Sequence, residues 1–144
     1  MSRQPPAERS QFRVWRRFTT RWRDNDAYGH VNNIVFYEWF DSAVNGWLVE
    51  QGLLDIATGD PIALVAETRC SYSAPLAFPQ GVEVGLAVAE LGRSSVRYRI
   101  GVFAEGAATA AANGEFVHVV VDRSTRRPVE IPREWRDKLE AIRA

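Results

Sequence analysis

The stretch RWRDNDAYGHVNNIVFYEWF, Arg21 to Phe40, decides how the rest of the chain reads. It opens in a strand-like pattern and passes through a loop carrying Asp24, Asn25, Asp26, Tyr28, Gly29, His30, Asn32 and Asn33. It then enters a strongly apolar helix. Asn32 and Asn33 are both good helix caps. Gly29 can take a positive φ or let a ligand approach the backbone closely. A carboxylate at the mouth of a helix can do proton or nucleophile chemistry, while free N–H groups of the first turn stabilise negative charge. These are the ingredients of a small-molecule site.

Working outward, the helix is expected to run to about Gln51, with Gly52 where a C′ glycine belongs. Phe36, Phe40, Ala43 and Trp47 form one apolar stripe, widened by Trp39, Val44 and Leu48. Glu38, Asp41 and Asn45 leave only a narrow polar stripe, so the helix must be surrounded. Upstream, aromatic and β-branched residues from Phe12 to Trp22 read as a strand. Downstream, strands are expected over 62–73, 81–91 and 96–102 and over 115–121, the last apolar enough to lie centrally. Pro132 opens a short amphipathic helix through Trp135, Leu139 and Ile142. Residues 1–11 read as a flexible tail and 12–144 as a single domain. One strand, one long buried helix and four antiparallel strands make an α+β layer pair.

At 144 residues the chain can bury a real core. Lys plus Arg balances Asp plus Glu at 18 each, which argues against a nucleic-acid binder. Cys70 is the only cysteine, so no intrachain disulfide is possible, and in its strand pattern it reads as a small half-buried hydrophobe. No stretch approaches about 18 uninterrupted apolar residues, and the N-terminus has no hydrophobic signal core. A cytoplasmic protein with no membrane partner is the expectation.

The run from Asp24 to Asn33 resembles the D-x-D-x-x-G-H-V-N-N signature of the hotdog-fold acyl-CoA thioesterases, of the 4-hydroxybenzoyl-CoA thioesterase type. Tyr72-Ser73-Ala74-Pro75-Leu76 resembles that family's Y-x-x-P-L segment, and Leu91-Gly92-Arg93-Ser94-Ser95 its L-G-R-S-S turn. Together they span roughly residues 12 to 132. The resemblance implies a single antiparallel sheet wrapped around one long helix, assembled as a homodimer or homotetramer with sites at the subunit interface. It also implies a thioester hydrolase with Asp26 as the catalytic carboxylate and no cofactor or metal, coenzyme A being part of the substrate.

Thioester hydrolysis needs a base or nucleophile beside the carbonyl and a donor for the developing oxyanion. Asp26 can serve as either, or can merely order its loop, since Asp is common in turns. Asp24 reads as a strand-end residue pairing with Arg21 or Arg23. His30, at the positive helix end, suits a neutral hydrogen-bonding imidazole. Tyr28, Gly29, His30 and Asn33 are the substrate-binding candidates in the loop. Arg93 and Ser94, with Arg123, Arg126 and Arg127, are candidates for the phosphates of coenzyme A, against a plain reading as solvated turn residues. Glu67 is a weak candidate for a partner carboxylate, and His118 reads as a satisfied core histidine. Beside the thioesterase stand two alternatives: a hotdog hydratase or dehydratase using His30 with Glu38 or Asp41, and a non-catalytic acyl-thioester binding protein.

Overall fold

The computed structural model describes residues 5–144. Its strands are β1 (Val14–Thr19), β2 (Ile62–Tyr72), β3 (Gly81–Leu91), β4 (Ser95–Ala104) and β5 (Ala112–Val121). The long helix α1 (Asn33–Glu50) lies between β1 and β2, and α2 (Arg133–Ala141) closes the chain. All pairings are antiparallel, in the order β1-β3-β4-β5-β2. β5 is thus an interior strand, while β4 holds the middle.

Period-two alternation turns one face of the sheet toward α1. Val82, Val84, Leu86 and Val88 of β3 and Val96, Tyr98, Ile100 and Val102 of β4 join a single core with the helix. From α1 that core takes Val35, Phe36, Trp39, Phe40, Ala43, Val44, Trp47 and Leu48. The wide apolar arc is therefore covered by a sheet that curls around it, the hotdog arrangement. Phe40 fits because Gly114 of β5 has no Cβ to meet its ring. Truncating Phe40 to Ala would cost about 3–5 kcal/mol at a site this tightly packed.

The expected strand over 12–22 shortens to Val14–Thr19, because Trp22–Asp24 close into a 3-10 turn. A loose tail was expected over 1–11. Residues 1–4 lie outside the described part, and from Ala7 the segment is packed against the outer face of the sheet. Phe12 is buried over Gly85 and Gly101, register partners on adjacent strands whose missing side chains leave a seat for its ring. Arg9 pairs with Glu83 at 2.7 Å and lies over the Trp15 and Phe103 rings. The Ala110 N–H donates to the Ala7 carbonyl at 2.9 Å.

The register defines two ends. Thr19, Gly81, Ala104, Ala112 and Tyr72 lie at one, with the start of α1: the loop end. Leu91, Ser95, Val121 and Ile62 lie at the other, with the turns at 92–94 and 122–127: the turn end. Among the described residues no helix is long and apolar enough to cross a membrane.

Candidate active site

The loop from Thr20 to Asn32 is built by its own polar groups. Asp24 is almost fully buried at 2% exposure, and both its oxygens are occupied by Arg21. Oδ2 accepts the Arg21 backbone N–H at 2.8 Å, and Oδ1 accepts its guanidinium at 2.8 and 2.9 Å. The Asp24 carbonyl accepts the Asn32 N–H at 2.8 Å, which ties the end of the 3-10 turn to the helix cap. Of the two partners expected for Asp24, Arg21 is the one it takes.

Asp26 sits differently. Its Oδ1 accepts the Tyr28 N–H at 2.8 Å, and its backbone closes a tight turn with Gly29 and His30. Among the described residues Oδ2 has no donor. Asp26 is half-buried, so this oxygen is neither neutralised nor sealed away. Gly29 has φ 81°, and a Cβ there would meet nothing, so the left-handed backbone alone demands glycine.

Asn32 is the N-cap of α1, its Oδ1 accepting the Ile34 N–H at 3.0 Å. The Asn33 N–H, one residue earlier, has no acceptor among the described residues. It therefore remains free to bind an anion, with the helix dipole behind it.

The segment after β2 forms the second wall. The Val31 N–H donates to the Leu76 carbonyl at 2.7 Å, and the Phe78 N–H to Asn25 Oδ1 at 3.0 Å. Between the two walls opens a cavity of about 410 Å³ lined by His30, Val31, Asn33, Phe36, Tyr72, Ala74, Pro75 and Leu76. Its lining is nearly all apolar, with the helix start at its rim. A larger hollow of about 510 Å³ lies over Arg69, Arg99 and Asn113 beneath the N-terminal segment, on the face of the sheet turned away from α1.

Of the loop candidates, His30 and Asn33 line this cavity. Tyr28 is 87% exposed and stands outside it. His30 has no carboxylate partner among the described residues, and Glu38 faces Arg21 instead. A His–carboxylate dyad is therefore not assembled within the chain. Arg93 and Ser94 lie at the turn end, one strand length away, roughly 30 Å for ten residues of β4. The chain does not bring them to Asp26. Arg123 is occupied structurally, donating to the carbonyls of Gly59, Ile56 and Ala57. Glu67 pairs in register with Val117 and faces away from α1.

Cys70 is half-buried, and burial pushes its thiol up to about 11, so it stays protonated, as a small hydrophobe should. His118 is in the core, edge-on to Phe116 and Tyr98, but its Nδ1 has no partner. Burial pushes it down to about 4. The expectation of a satisfied histidine thus holds for its place and not for its hydrogen bonding. Two groups carried no signal in the sequence. The hydroxyls of Tyr72, whose ring lines the cavity, and of its neighbour Ser73 are both buried, that of Tyr72 near the Cys70 thiol and the Tyr37 hydroxyl.

A family model of the thioesterase-like superfamily matches residues 20–139. The chain belongs to the thioesterase-like superfamily. Among solved structures, the PA5185 protein of Pseudomonas aeruginosa is 51% identical, with 97% of this chain and 98% of that one covered and a TM-score of 0.94. A 1,4-dihydroxy-2-naphthoyl-CoA thioesterase from Synechocystis superposes with a TM-score of 0.78 over 87% of this chain and 93% of its own. At 18% identity it shares the fold. The PA2801 protein of Pseudomonas aeruginosa is 25% identical over 88% of this chain and 95% of its own, with a TM-score of 0.76. No curated protein sequence matches the chain. Membership of this superfamily supports thioester hydrolysis in general.

Proposed function

We propose that this protein hydrolyses an acyl- or aroyl-CoA thioester to the free acid and coenzyme A, with Asp26 as nucleophile or general base. The observation that carries the reading is a carboxylate with one oxygen held by the Tyr28 N–H and the other free, in the loop that leads into a helix start with an unoccupied N–H. As a nucleophile, Asp26 Oδ2 attacks the thioester carbon, the C–S bond breaks, and a mixed anhydride forms. Water then cleaves the anhydride and restores the carboxylate. As a general base, Asp26 takes a proton from water while the water oxygen attacks the carbonyl. The C–S bond breaks and the thiolate leaves with a proton. Either route places negative charge on the carbonyl oxygen, which the Asn33 N–H and the α1 dipole would stabilise. The apolar cavity would take the acyl group.

The same reading asks for a second copy of the chain. β2 is a long edge strand in which 64–69 are all exposed, Leu64 and Val65 among them. Such an edge is a template for pairing. Two copies related by a twofold axis pair their β2 strands antiparallel, which sets the Ile62 end of one beside the Tyr72 end of the other. The partner's turn end, with its Arg93 and Ser94, would then serve the Asp26 end and its coenzyme A phosphates.

Free-thiol detection over a panel of acyl- and aroyl-CoAs tests the activity, with sedimentation at micromolar concentration alongside. Turnover that vanishes in Asp26→Asn supports the reading, as does the absence of monomer. Tight binding of thioesters without any thiol release would leave a binding protein. Hydration of an enoyl-CoA without thiol release, kept in Asp26→Asn and lost in His30→Ala, would move the chemistry to hydration.

A further inference from the structure

We propose that the hollow on the outer face of the sheet binds a small organic carboxylate, held by the Arg99 guanidinium together with the side chains of Asn113 and Ser71. This site is separate from the loop-end cavity and independent of the hydrolase reading. Strand register lays its floor. Ser71 of β2 lies opposite Asn113 of β5, and Glu115 of β5 lies between Arg69 of β2 and Arg99 of β4. Side chains at such positions start about 5 Å apart, or about 7–8 Å on the diagonal, so one bound group can touch several. The segment from Pro5 to Phe12 forms the roof, with Pro5, Pro6 and Ala7 turned to the hollow.

What points to a ligand is a set of donors left over. Glu115 is the carboxylate of the floor, and its Oε2 accepts from Arg69 at 2.5 Å and from Arg97 at 3.3 Å. Arg97 also reaches Glu90 at 3.6 Å. Arg99 stands opposite Glu115, yet among the described residues it has neither an ion pair nor a hydrogen-bond acceptor, although it is half-buried. Asn113 Oδ1 accepts the Ala7 N–H at 3.3 Å, which fixes the amide and leaves its Nδ2 as the free end. The Ser71 hydroxyl is half-buried and makes no bond among the described residues. A guanidinium, an amide and a hydroxyl thus offer unused donors to one hollow of about 510 Å³, a size that suits a small organic molecule. An ionised acceptor makes the strongest bonds to such donors, and a guanidinium fork matches a carboxylate in two parallel bonds.

The other lining groups select the class of anion. Glu8 on the roof and Glu115 on the floor are negative, so a second negative charge on the ligand is repelled. That favours a monocarboxylate over the phosphate dianion. The prolines and Ala7 give the roof an apolar surface, which an inorganic ion cannot use and an acid with a small aryl or alkyl body can.

The isotope-labelled full chain is titrated with benzoate, with hexanoate and with inorganic phosphate while its amide signals are followed by NMR. At least one of the acids should shift the Asn113 side-chain amide and the Ala7 and Glu8 backbone amides along one saturable curve. Phosphate should act on the same signals ~10-fold more weakly or less. Arg99→Gln should weaken the acid's binding by ~10-fold or more, with the melting temperature unchanged because Arg99 holds nothing within the chain. Ser71→Ala should weaken it less. An acid entering the loop-end cavity instead would shift the Asn33 amide equally in the wild type and in Arg99→Gln, so the two sites are read apart. If neither acid shifts the Asn113 amide saturably, the proposal is overturned. It is overturned as well if Arg99→Gln binds as tightly as the wild type, or if phosphate matches the acids. Should Arg99→Gln melt lower, Arg99→Lys takes its place, keeping the charge and losing the fork; it too should bind more weakly, and undiminished binding overturns the proposal.

Discussion

At the turn end of the sheet, Asp122 Oδ1 accepts the N–H groups of Ser124 and Thr125 and the Ser124 hydroxyl, while Arg123 forks across three carbonyls of the 56–59 loop. At the loop end, both oxygens of Asp24 are taken up by Arg21, but Asp26 keeps one oxygen free and Asn33 keeps its N–H. Both ends are written in Asp, Arg and Gly. Even the left-handed backbone recurs, at Gly29 in one and at Arg126 in the other. Asp122 also accepts through Oδ1 alone, so a free carboxylate oxygen does not by itself distinguish the ends. What does is its setting: Asp26 lies in the loop that leads into a helix start with an unoccupied N–H, at Asn33, and Asp122 lies in a turn with no such helix start.

The sharpest way to break this contrast is Asp26→Asn. Asn Oδ1 can still accept the Tyr28 N–H, so the melting temperature should stay within about 2 °C of the wild type. The rate of thiol release should fall by at least ~100-fold, because basicity and nucleophilicity both go. A large loss of stability with the rate intact would make Asp26 another Asp24.

The converse change is Arg123→Ala at the turn end. It removes the donors for the Gly59, Ile56 and Ala57 carbonyls. We expect the melting temperature to fall by roughly 5 °C, with little change in the KM for CoA thioesters. A selective rise in KM would return Arg123 to the phosphate site from which its bonds remove it.

Much of this was legible in the chain, and the exceptions share a cause. Local signals were enough for α1, whose caps and arc are contiguous, and for β3, whose alternation runs from Gly81 to Leu91 as expected. The packed N-terminal segment was not legible, because the seat of Phe12 is made by Gly85 and Gly101 on two other strands. Asp26 was singled out through its signature, and Arg21 was one of the two partners expected for Asp24, yet only geometry shows that both oxygens of Asp24 are taken up while one of Asp26 is not. The unpaired state of Arg99 is likewise a property of its neighbours, since Arg69 and Arg97 hold Glu115. The separation of Arg93 from Asp26 follows from strand register, which spacing along the chain does not reveal.

A third comparison concerns pH, and it sets the core against the turns. His118 lies in the core and is pushed down to about 4 by burial. Between that value and the unfolded value of about 6.5, the unfolded chain binds the extra proton, so stability falls as pH drops through the window. The loss amounts to about 3 kcal/mol by pH 4. His118→Leu should flatten that slope in urea titrations run from pH 7 to 4. Asp55, Asp122 and Glu83 behave in the opposite sense. Backbone N–H groups of Thr58, Thr125 and Gly106, respectively, lead in holding them below the ordinary carboxylate range. Their contribution is present above that range and is lost only as pH falls further, through their lowered values. A single acid transition below pH 4, unchanged in His118→Leu, would remove His118 from the account.

The smallest effect tests whether the two ends ever meet. Arg93 has no ion-pair partner among the described residues, and its turn is held by backbone bonds, the Arg93 carbonyl accepting the Ile131 N–H at 2.8 Å. Arg93→Ala should therefore fold normally and raise the KM for CoA thioesters by roughly 3- to 10-fold, leaving pantetheine thioesters nearly unaffected. Mixing then decides where Arg93 acts. If each site takes Asp26 from one chain and Arg93 from the other, a dimer of one Asp26→Asn chain and one Arg93→Ala chain contains one intact site and one doubly impaired site. Half the dimers in an equal mixture are of this kind. The restored sites would then supply about a quarter of wild-type activity at low substrate. If Arg93 served the Asp26 of its own chain, or served none, the mixture would show only the average of its two parents. The assay needs subunits that exchange, which brief dilution and reconcentration before mixing provides, and the wild-type-like KM of the recovered fraction is the reading that no averaging of the parents can produce.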